Sequence, residues 1–330
     1  MRQTFHIDFI KKSKIFFGIS LGIMLVCLIL NLFVLPTRVD IQFTGGTIIK
    51  YNYDGKVSSK KIEKTVNDTI KDIKALKKEK IDYSYSENLA NAADNKSSKI
   101  VSLQFTGNKA VSVEDKGTIT DALQTAYPDN GFAEESSTSV DASKGANFFF
   151  KCLVAVILAA VLMIFYVALR FKKIGGLSAG VMAVVALIHD LIIVYFIFAI
   201  FQMPLNDNFI AVVLMILGYS LNDTIVIYDR VRENRRKSGP KTTTAELVNT
   251  SINQCFTRTI CTSITTIASI LAVLIVALIF GIDSIISFAL PMMIGLISGC
   301  YSSICIACPL WVLWKNHSDK KKAEKRKKNS

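Results

Sequence analysis

The sequence lacks most of the features on which soluble enzymes depend. Histidine occurs 3 times and tryptophan twice in 330 residues. There is no glycine-rich phosphate loop, no zinc-ligand spacing, and no serine, histidine and acid in a plausible catalytic order. We therefore expect neither an enzyme that acts on a soluble metabolite nor a bound metal or organic cofactor.

Cysteine is absent from residues 37–146, and all 7 cysteines of the chain lie elsewhere. This distribution excludes a disulfide-stabilised domain over 37–146, which has to fold on its apolar core. The Cys305-x-x-Cys308 pair lies inside a long apolar run, where thiols usually act as small apolar side chains. We do not interpret the pair as a redox or metal site.

Charge is nearly absent from six long apolar runs, and 51% of all residues are hydrophobic. A helix needs about 20 apolar residues to cross about 30 Å of hydrocarbon, and each run is long enough. The first run ends at Leu35-Pro36 without the small-residue cleavage site of a secretory signal, so we expect an uncleaved anchor. The sequence predicts an α-helical membrane protein with six transmembrane helices, over residues 15–35, 147–169, 174–201, 209–229, 258–280 and 285–314.

The basic residues are concentrated at the ends of these runs. Outside residues 37–146 there are 23 Lys and Arg against 10 Asp and Glu, whereas inside that segment each sign occurs 16 times. Threading the runs alternately through a membrane brings four basic clusters to one side, at 2–14, 170–173, 230–241 and 315–328. Because basic loops stay in the cytoplasm, both termini are expected there. Since membrane topology accounts for the basic residues, we do not expect the chain to bind nucleic acid.

Residues 37–146 are the one segment long enough to form a domain, and it is expected outside the cytoplasm. Before it come a cytoplasmic N-terminus (1–14) and the first span (15–35). After it come five further spans (147–314) and a basic cytoplasmic tail (315–330). Apolar spacing predicts strands over 39–49, with a bulge at Gly45-Gly46, and over 81–85, 99–106 and 132–140. Helices are predicted over 57–73 and 113–127, the second capped by Ser112. This β-α-β-β-α-β order is typical of a ferredoxin-like α/β fold.

Ionisable side chains inside a membrane cost several kcal/mol each, so they are candidates for function. Asp223 lies past the middle of the fourth run, beside Asn222 and Thr224. Burial favours the neutral form of a carboxylic acid and a nearby arginine favours the charged form, so such a group can load and release a proton. The alternative is a buried aspartate that only hydrogen-bonds a neighbouring helix.

The fifth run begins at Arg258, and polar residues recur along one face of that helix. A polar face has to meet protein or a hydrated cavity rather than lipid, although Arg258 could also extend to the membrane surface. The residues of this polar stripe are Gln254, Arg258, Thr262, Thr265 and Ser269.

Two further aspartates lie in or next to the spans. Asp190, beside His189, is either a member of a proton relay or a polar contact between helices. Asp229 lies next to Arg230 at the cytoplasmic boundary, where an ion pair is favoured over a role in proton transfer. The small-residue repeats Gly295-x-x-x-Gly299 and Ser298-x-x-x-Ser302 in the sixth run are interpreted as a helix-packing face.

One segment carries a specific resemblance. Residues 217–234, LGYSLNDTIVIYDRVREN, resemble the SecF signature of the SecD/SecF family of bacterial protein-export membrane proteins, within the resistance-nodulation-division superfamily. Residues 39–46, 253–263 and 299–310 agree with it, so the resemblance extends over nearly the whole chain. The sequence departs from the family pattern at Gln42 and over 140–145.

The resemblance implies a partnership in protein export across the bacterial cytoplasmic membrane. Family members pair with SecD, itself a six-span protein, and act with the SecYEG channel, YajC and the translocating unfolded preprotein. The coupling ion is the proton. By motif position, Asp223 and Arg258 match the intramembrane charged pair of the family. The polar residues of the spans add Asp190 as a further candidate for the proton relay, with Asn222, Thr224, Gln254 and Asp229 as possible supporting residues. The alternatives are a half-size proton-driven lipid or drug exporter and a passive scaffold for SecD.

Overall fold

A computed structural model describes residues 7–35, 37–73, 76, 80–88, 98–106, 111–239 and 242–328. Helix α1 (Ser13–Phe33) forms the first span and is exposed over most of its length. It leans on the last span, where Tyr301 Oη donates a 2.7 Å hydrogen bond to the carbonyl of Phe16. The segment before it is held by a later helix, because the amides of Ile7 and Phe9 donate to the side chains of Asn253 and Asn249.

An α/β domain follows, and its core lies between one face of a sheet and two helices. The antiparallel sheet has the strand order β2-β3-β1-β4, which is the ferredoxin-like order, so the predicted fold class is confirmed. Alternate residues of β1 and β3, such as Tyr51 and Leu103, are fully buried against Ile62 and Ile119 of the helices. The elements are α2 (Ile41–Thr44), β1 (Gly46–Asp54), α3 (Ser59–Asp72), β2 (Lys80–Asn88), β3 (Ser98–Thr106), α4 (Val113–Ala126) and β4 (Ala133–Val140).

The predicted start of the first strand is wrong. Residues 41–44 form the single helical turn α2, because the Asp40 side chain caps it by accepting the Gln42 amide at 2.9 Å. Phe43 packs against the rings of Phe148 and Phe149 instead of alternating in a strand. The bulge predicted at Gly45-Gly46 is absent, because Gly45 ends α2 and Gly46 begins β1. The register shift lies between Lys50 and Tyr51, opposite β4.

Five more spans complete the membrane domain, so that six helices in the described part of the chain are long and apolar enough to cross a membrane. The six predicted spans are confirmed, and the chain is a multi-pass membrane protein. Three of these spans extend well beyond their apolar runs: α7 and the last span end later than predicted, and α8 begins earlier. The bounds are α5 (Ala142–Arg170), α6 (Gly176–Ile200), α7 (Asp207–Lys237), α8 (Thr244–Phe280), and a last span made of α9 (Asp283–Ser302), a π-helical turn (Ser303–Ala307) and α10 (Cys308–Lys328).

The long helix α8 shows why these ends were misplaced. It begins at Thr244 with a capping box, in which Thr243 and Glu246 satisfy each other's amides, and not near Arg258. Arg258 therefore lies well inside the helix. Helices α6, α7 and the last span are the most buried, whereas α1, α5 and α8 are mostly exposed.

The α/β domain is joined to the α6–α7 loop by backbone hydrogen bonds. The Asp40 amide donates to the carbonyl of Leu205 (3.0 Å), and the Leu205 amide donates to the carbonyl of Arg38 (2.9 Å). From the sheet, Gln104 Nε2 donates to the carbonyl of Val39 at 3.0 Å. Burial raises the pKa of the Asp40 carboxyl above its ordinary value, against the lowering effect of the Gln42 amide. This junction lies directly before helix α7.

We predict that Gly46→Ala disrupts the sheet. Gly46 has a φ of 137°, and a Cβ there would overlap the carbonyl oxygen of Phe105 in β3. The strain should cost about 1–3 kcal/mol. Hydrogen exchange followed by mass spectrometry on the full chain should show faster exchange in β1 and β3.

The matched control is Gly117→Ala in helix α4, where a Cβ meets nothing within 4 Å. That change should stabilise the helix by about 0.5–1 kcal/mol. Unchanged exchange of β1 and β3 in the Gly46 variant would contradict the assignment.

Candidate functional site

The Asp223 carboxylate is buried between α7 and α8 with one oxygen unpaired. Its side chain is 3% exposed, and Oδ2 accepts no hydrogen bond from any described residue. Across from it on α8, Thr259 and Ser263 are buried as well, and within the described ranges their hydroxyls are also without a partner. Ser263 lies beside both Asp223 and Cys300. Buried polar groups without a hydrogen-bond partner are uncommon in proteins, so this contact between α7 and α8 requires an explanation.

Arg258 does not pair with Asp223. The two residues form no ion pair among those found in the described segments, and Arg258 is exposed. Arg258 instead lines a cavity at the end of α7. The charged pair implied by the family motif is therefore separated in this structure.

The polar stripe of α8 is exposed along its whole length. Asn222 of α7 is exposed too, and its amide has no partner within the described parts of the chain. The hydroxyls of Thr262 and Ser269 donate back to their own helix, at 2.9 and 3.0 Å. The side chains of Asn222 and Arg258 make no such hydrogen bond to their own helix, so this face is unsuited to lipid contact.

Asp190 of α6 is fully buried and saturated with donors, and it contacts α7 through Ser220, one turn before Asp223. Its oxygens accept hydrogen bonds from the hydroxyls of Ser220 (2.8 Å), Ser298 (2.7 Å) and Ser302 (2.7 Å). His189 Nδ1 lies 3.1 Å from Oδ1. A carboxylate has about four acceptor positions, so this one is fully used. The arrangement ties α6 to α7 and α9.

Thr224 belongs to this buried contact and not to the Asp223 site. Its hydroxyl pairs with Ser303 Oγ at 2.9 Å, and Ser303 donates to the carbonyl of Ser220 at 3.0 Å. Helix α9 approaches closely because Gly299 faces Ser220, where a Cβ would lie 2.9 Å from the serine Cβ. The partner serines were not predicted as site residues; their signal was the spacing in 298–303 that was interpreted as packing.

Asp229 and Gln254 connect helix ends near the cytoplasmic boundary. Asp229 forms ion pairs with Arg232 (2.8 Å) and Arg170 (3.2 Å), as its position beside arginines suggested. Gln254 Oε1 accepts hydrogen bonds from Arg230 Nε at 2.7 Å and from Asn234 Nδ2 at 2.9 Å. Because these groups are partly exposed, each ion pair contributes at most about 1 kcal/mol.

We predict that Ser302→Ala destabilises the membrane domain, because it removes a buried donor to Asp190. The expected loss is about 1–3 kcal/mol. The thermal unfolding midpoint of the purified chain, followed through the fluorescence of the buried Trp311, should fall. Ser269→Ala is the matched control, since that exposed hydroxyl bonds only its own helix. Equal midpoints for the two variants would contradict a structural role for the Asp190 contacts.

Comparison of the chain with known proteins identifies its family. The profile described as "Protein export membrane protein SecD/SecF, C-terminal" matches residues 119–317. The protein translocase subunit SecF of Sebaldella termitidis is 31% identical over 315 residues, which cover 96% of this chain and 94% of that protein. The SecDF subunit of Bacillus subtilis is 32% identical over 316 residues, covering 95% of this chain but only 39% of the longer relative.

Solved structures agree with the sequence comparisons. The crystal structure of SecDF, a translocon-associated membrane protein from Thermus thermophilus, superposes with a TM-score of 0.74 at 27% identity, over 96% of this chain and 40% of that one. The crystal structure of SecDF in its super-membrane-facing form superposes with a TM-score of 0.63 at 26% identity, over 97% of this chain and 40% of that one. The chain thus spans nearly all of a SecF and less than half of a SecDF. It belongs to the SecD/SecF family of protein-export membrane proteins.

Proposed function

We propose that this chain is the SecF-type subunit of a Sec translocase and that it uses the proton motive force through Asp223. The observation that carries the proposal is the unpaired, buried Asp223 oxygen next to Ser263 of α8, whose hydroxyl is unpaired as well. Taking up a proton stabilises such a carboxylate, because the neutral acid can donate a hydrogen bond to Ser263. Proton binding and release therefore change the contact between α7 and α8.

The energy available is sufficient for a change of this kind. One charge that crosses 100 mV releases about 2.3 kcal/mol. That is comparable to about 1–3 kcal/mol for leaving a buried polar group without a partner. A single proton can thus shift the balance between two arrangements of α7 and α8. Arg258, one residue before Thr259, moves with any rotation of α8 and is the charge that such a rotation would bring towards Asp223.

The α/β domain is placed to follow a movement of α7. Asn206 caps that helix by accepting the Phe209 amide, and the preceding Leu205 is bonded to the chain leading into the domain. Gln42 of α2 also accepts the Asp207 amide at 3.3 Å. A displacement of the start of α7 therefore pulls directly on the base of the sheet. In the proposed cycle the domain moves while the preprotein crosses SecYEG.

The exposed polar face formed by Asn222 and the stripe of α8 is the proposed contact with SecD. Relatives in which SecD and SecF form one chain support this pairing, since this chain covers only part of them. The basic clusters at the ends of α5, α7 and α10 support an orientation with both termini in the cytoplasm and the α/β domain outside. YajC is a further expected partner.

We expect Asp223→Asn to abolish stimulation of export by the proton gradient and to leave co-purification with SecD intact, because asparagine cannot titrate. Export of a preprotein into inverted vesicles, with and without a proton gradient, measures the effect. Asp229→Asn is the control, since Asp229 is partly exposed and ion-paired. An unimpaired Asp223→Asn protein would favour a passive scaffold for SecD.

A second prediction concerns the junction with the α/β domain. Leu205→Pro removes the amide that donates to the carbonyl of Arg38, whereas Leu205→Ala keeps it and loses only the side chain. Gradient-dependent export should fall at least about fivefold more in the proline variant, which corresponds to the loss of one hydrogen bond of about 1 kcal/mol. Equal activities of the two variants would show that the junction does not transmit the movement.

A further inference from the structure

A cavity opens between the basic ends of α7 and α8, next to the Asp223 site but separate from it. Its volume is about 450 Å³, within the range of about 300–1,000 Å³ usual for pockets that hold small molecules. Four arginines line it, namely Arg230, Arg232, Arg236 and Arg258, together with two carboxylates. The lining therefore carries two more positive than negative charges.

The two carboxylates already form ion pairs with basic side chains of the chain itself. Glu233 pairs with Arg230 and with Lys237, both at 2.6 Å. Asp229 pairs with Arg232 and with Arg170. Among the residues whose placement is described, Arg236 and Arg258 have no ion-pair partner. Two guanidinium groups thus face one cavity without a counter-charge from the chain.

The position of the cavity indicates where the missing anion comes from. The apolar side chains of Val226 and Cys255 line it, and it lies where the apolar run of α7 ends and that of α8 begins. Basic residues at the ends of apolar helix segments lie at the level of phospholipid headgroups. Guanidinium groups bind phosphate oxygens through paired hydrogen bonds.

We propose that this cavity binds the phosphate of an anionic phospholipid headgroup between Arg236 and Arg258. The proposal does not depend on proton coupling at Asp223. Phosphate is the chemistry recognised, and the membrane is the proposed source in preference to a soluble phosphate.

The test is Arg236→Gln against Arg235→Gln in the full-length chain. Both residues are exposed in the last turns of α7, but only Arg236 lines the cavity. Native mass spectrometry in neutral detergent, titrated with phosphatidylglycerol, should show binding weakened at least about fivefold by Arg236→Gln and hardly at all by Arg235→Gln. The affinity of Arg236→Lys for phosphatidylglycerol should lie between those of Arg236→Gln and the unmodified chain, because lysine keeps the charge.

Three outcomes would overturn the proposal. Equal weakening by the two glutamine variants would show a general surface charge effect in place of a site. Equal binding of phosphatidylcholine would show that the anion is not recognised. Binding of inorganic phosphate without binding of phosphatidylglycerol would assign the cavity to a soluble anion.

Discussion

Hydrocarbon offers no hydrogen-bond partners, and every buried polar group in the membrane domain has to be satisfied by the protein itself. Asp190 meets this requirement with three serine hydroxyls and His189, which belong to α6, α7 and α9. Removing any one helix would leave the carboxylate or several hydroxyls unpaired. The three most buried helices are held in register by this one acidic group, and the π-helical turn with Ser303 extends the same contact to Thr224.

Helix α7 therefore carries two adjacent contacts with opposite properties. Ser220 and Thr224 make hydrogen bonds that fix the helix to α6 and to the last span. One turn after Ser220, Asp223 has an oxygen that no described group satisfies. A fixed contact and an unsatisfied one, three residues apart on one helix, are the arrangement expected of an element that shifts against α8 and stays attached to α9. The two aspartates that looked alike in the sequence thus have different roles.

The elements of the fold were largely predictable from the sequence, because they depend on local spacing. The six apolar runs, the order of strands and helices, and the Ser112 cap of α4 all follow from neighbours within a few residues. The α2 turn was missed because the alternation of residues 39–43 favours a strand, and the packing of Phe43 on α5, which adds to the Asp40 cap, involves residues far along the chain. Asp223 and Asp190 were identified as candidates, but their partners were not, because the spacing of Ser298 and Ser302 shows a shared helix face and not which group on another helix they bond. Arg258 was placed at a helix start because α8 continues through a polar stretch that hydropathy assigns to a loop.

The length of α8 has a mechanical consequence. Its 37 residues extend about 55 Å at about 1.5 Å per residue, so roughly 25 Å stands outside a hydrocarbon core of about 30 Å. This projecting part holds the segment before α1, through Asn249 and Asn253. When α8 tilts at the membrane surface near Arg258, this projecting part moves as a rigid rod. A tilt of about 10° displaces its far end by about 4 Å over that length, and the start of the first span is carried along with it.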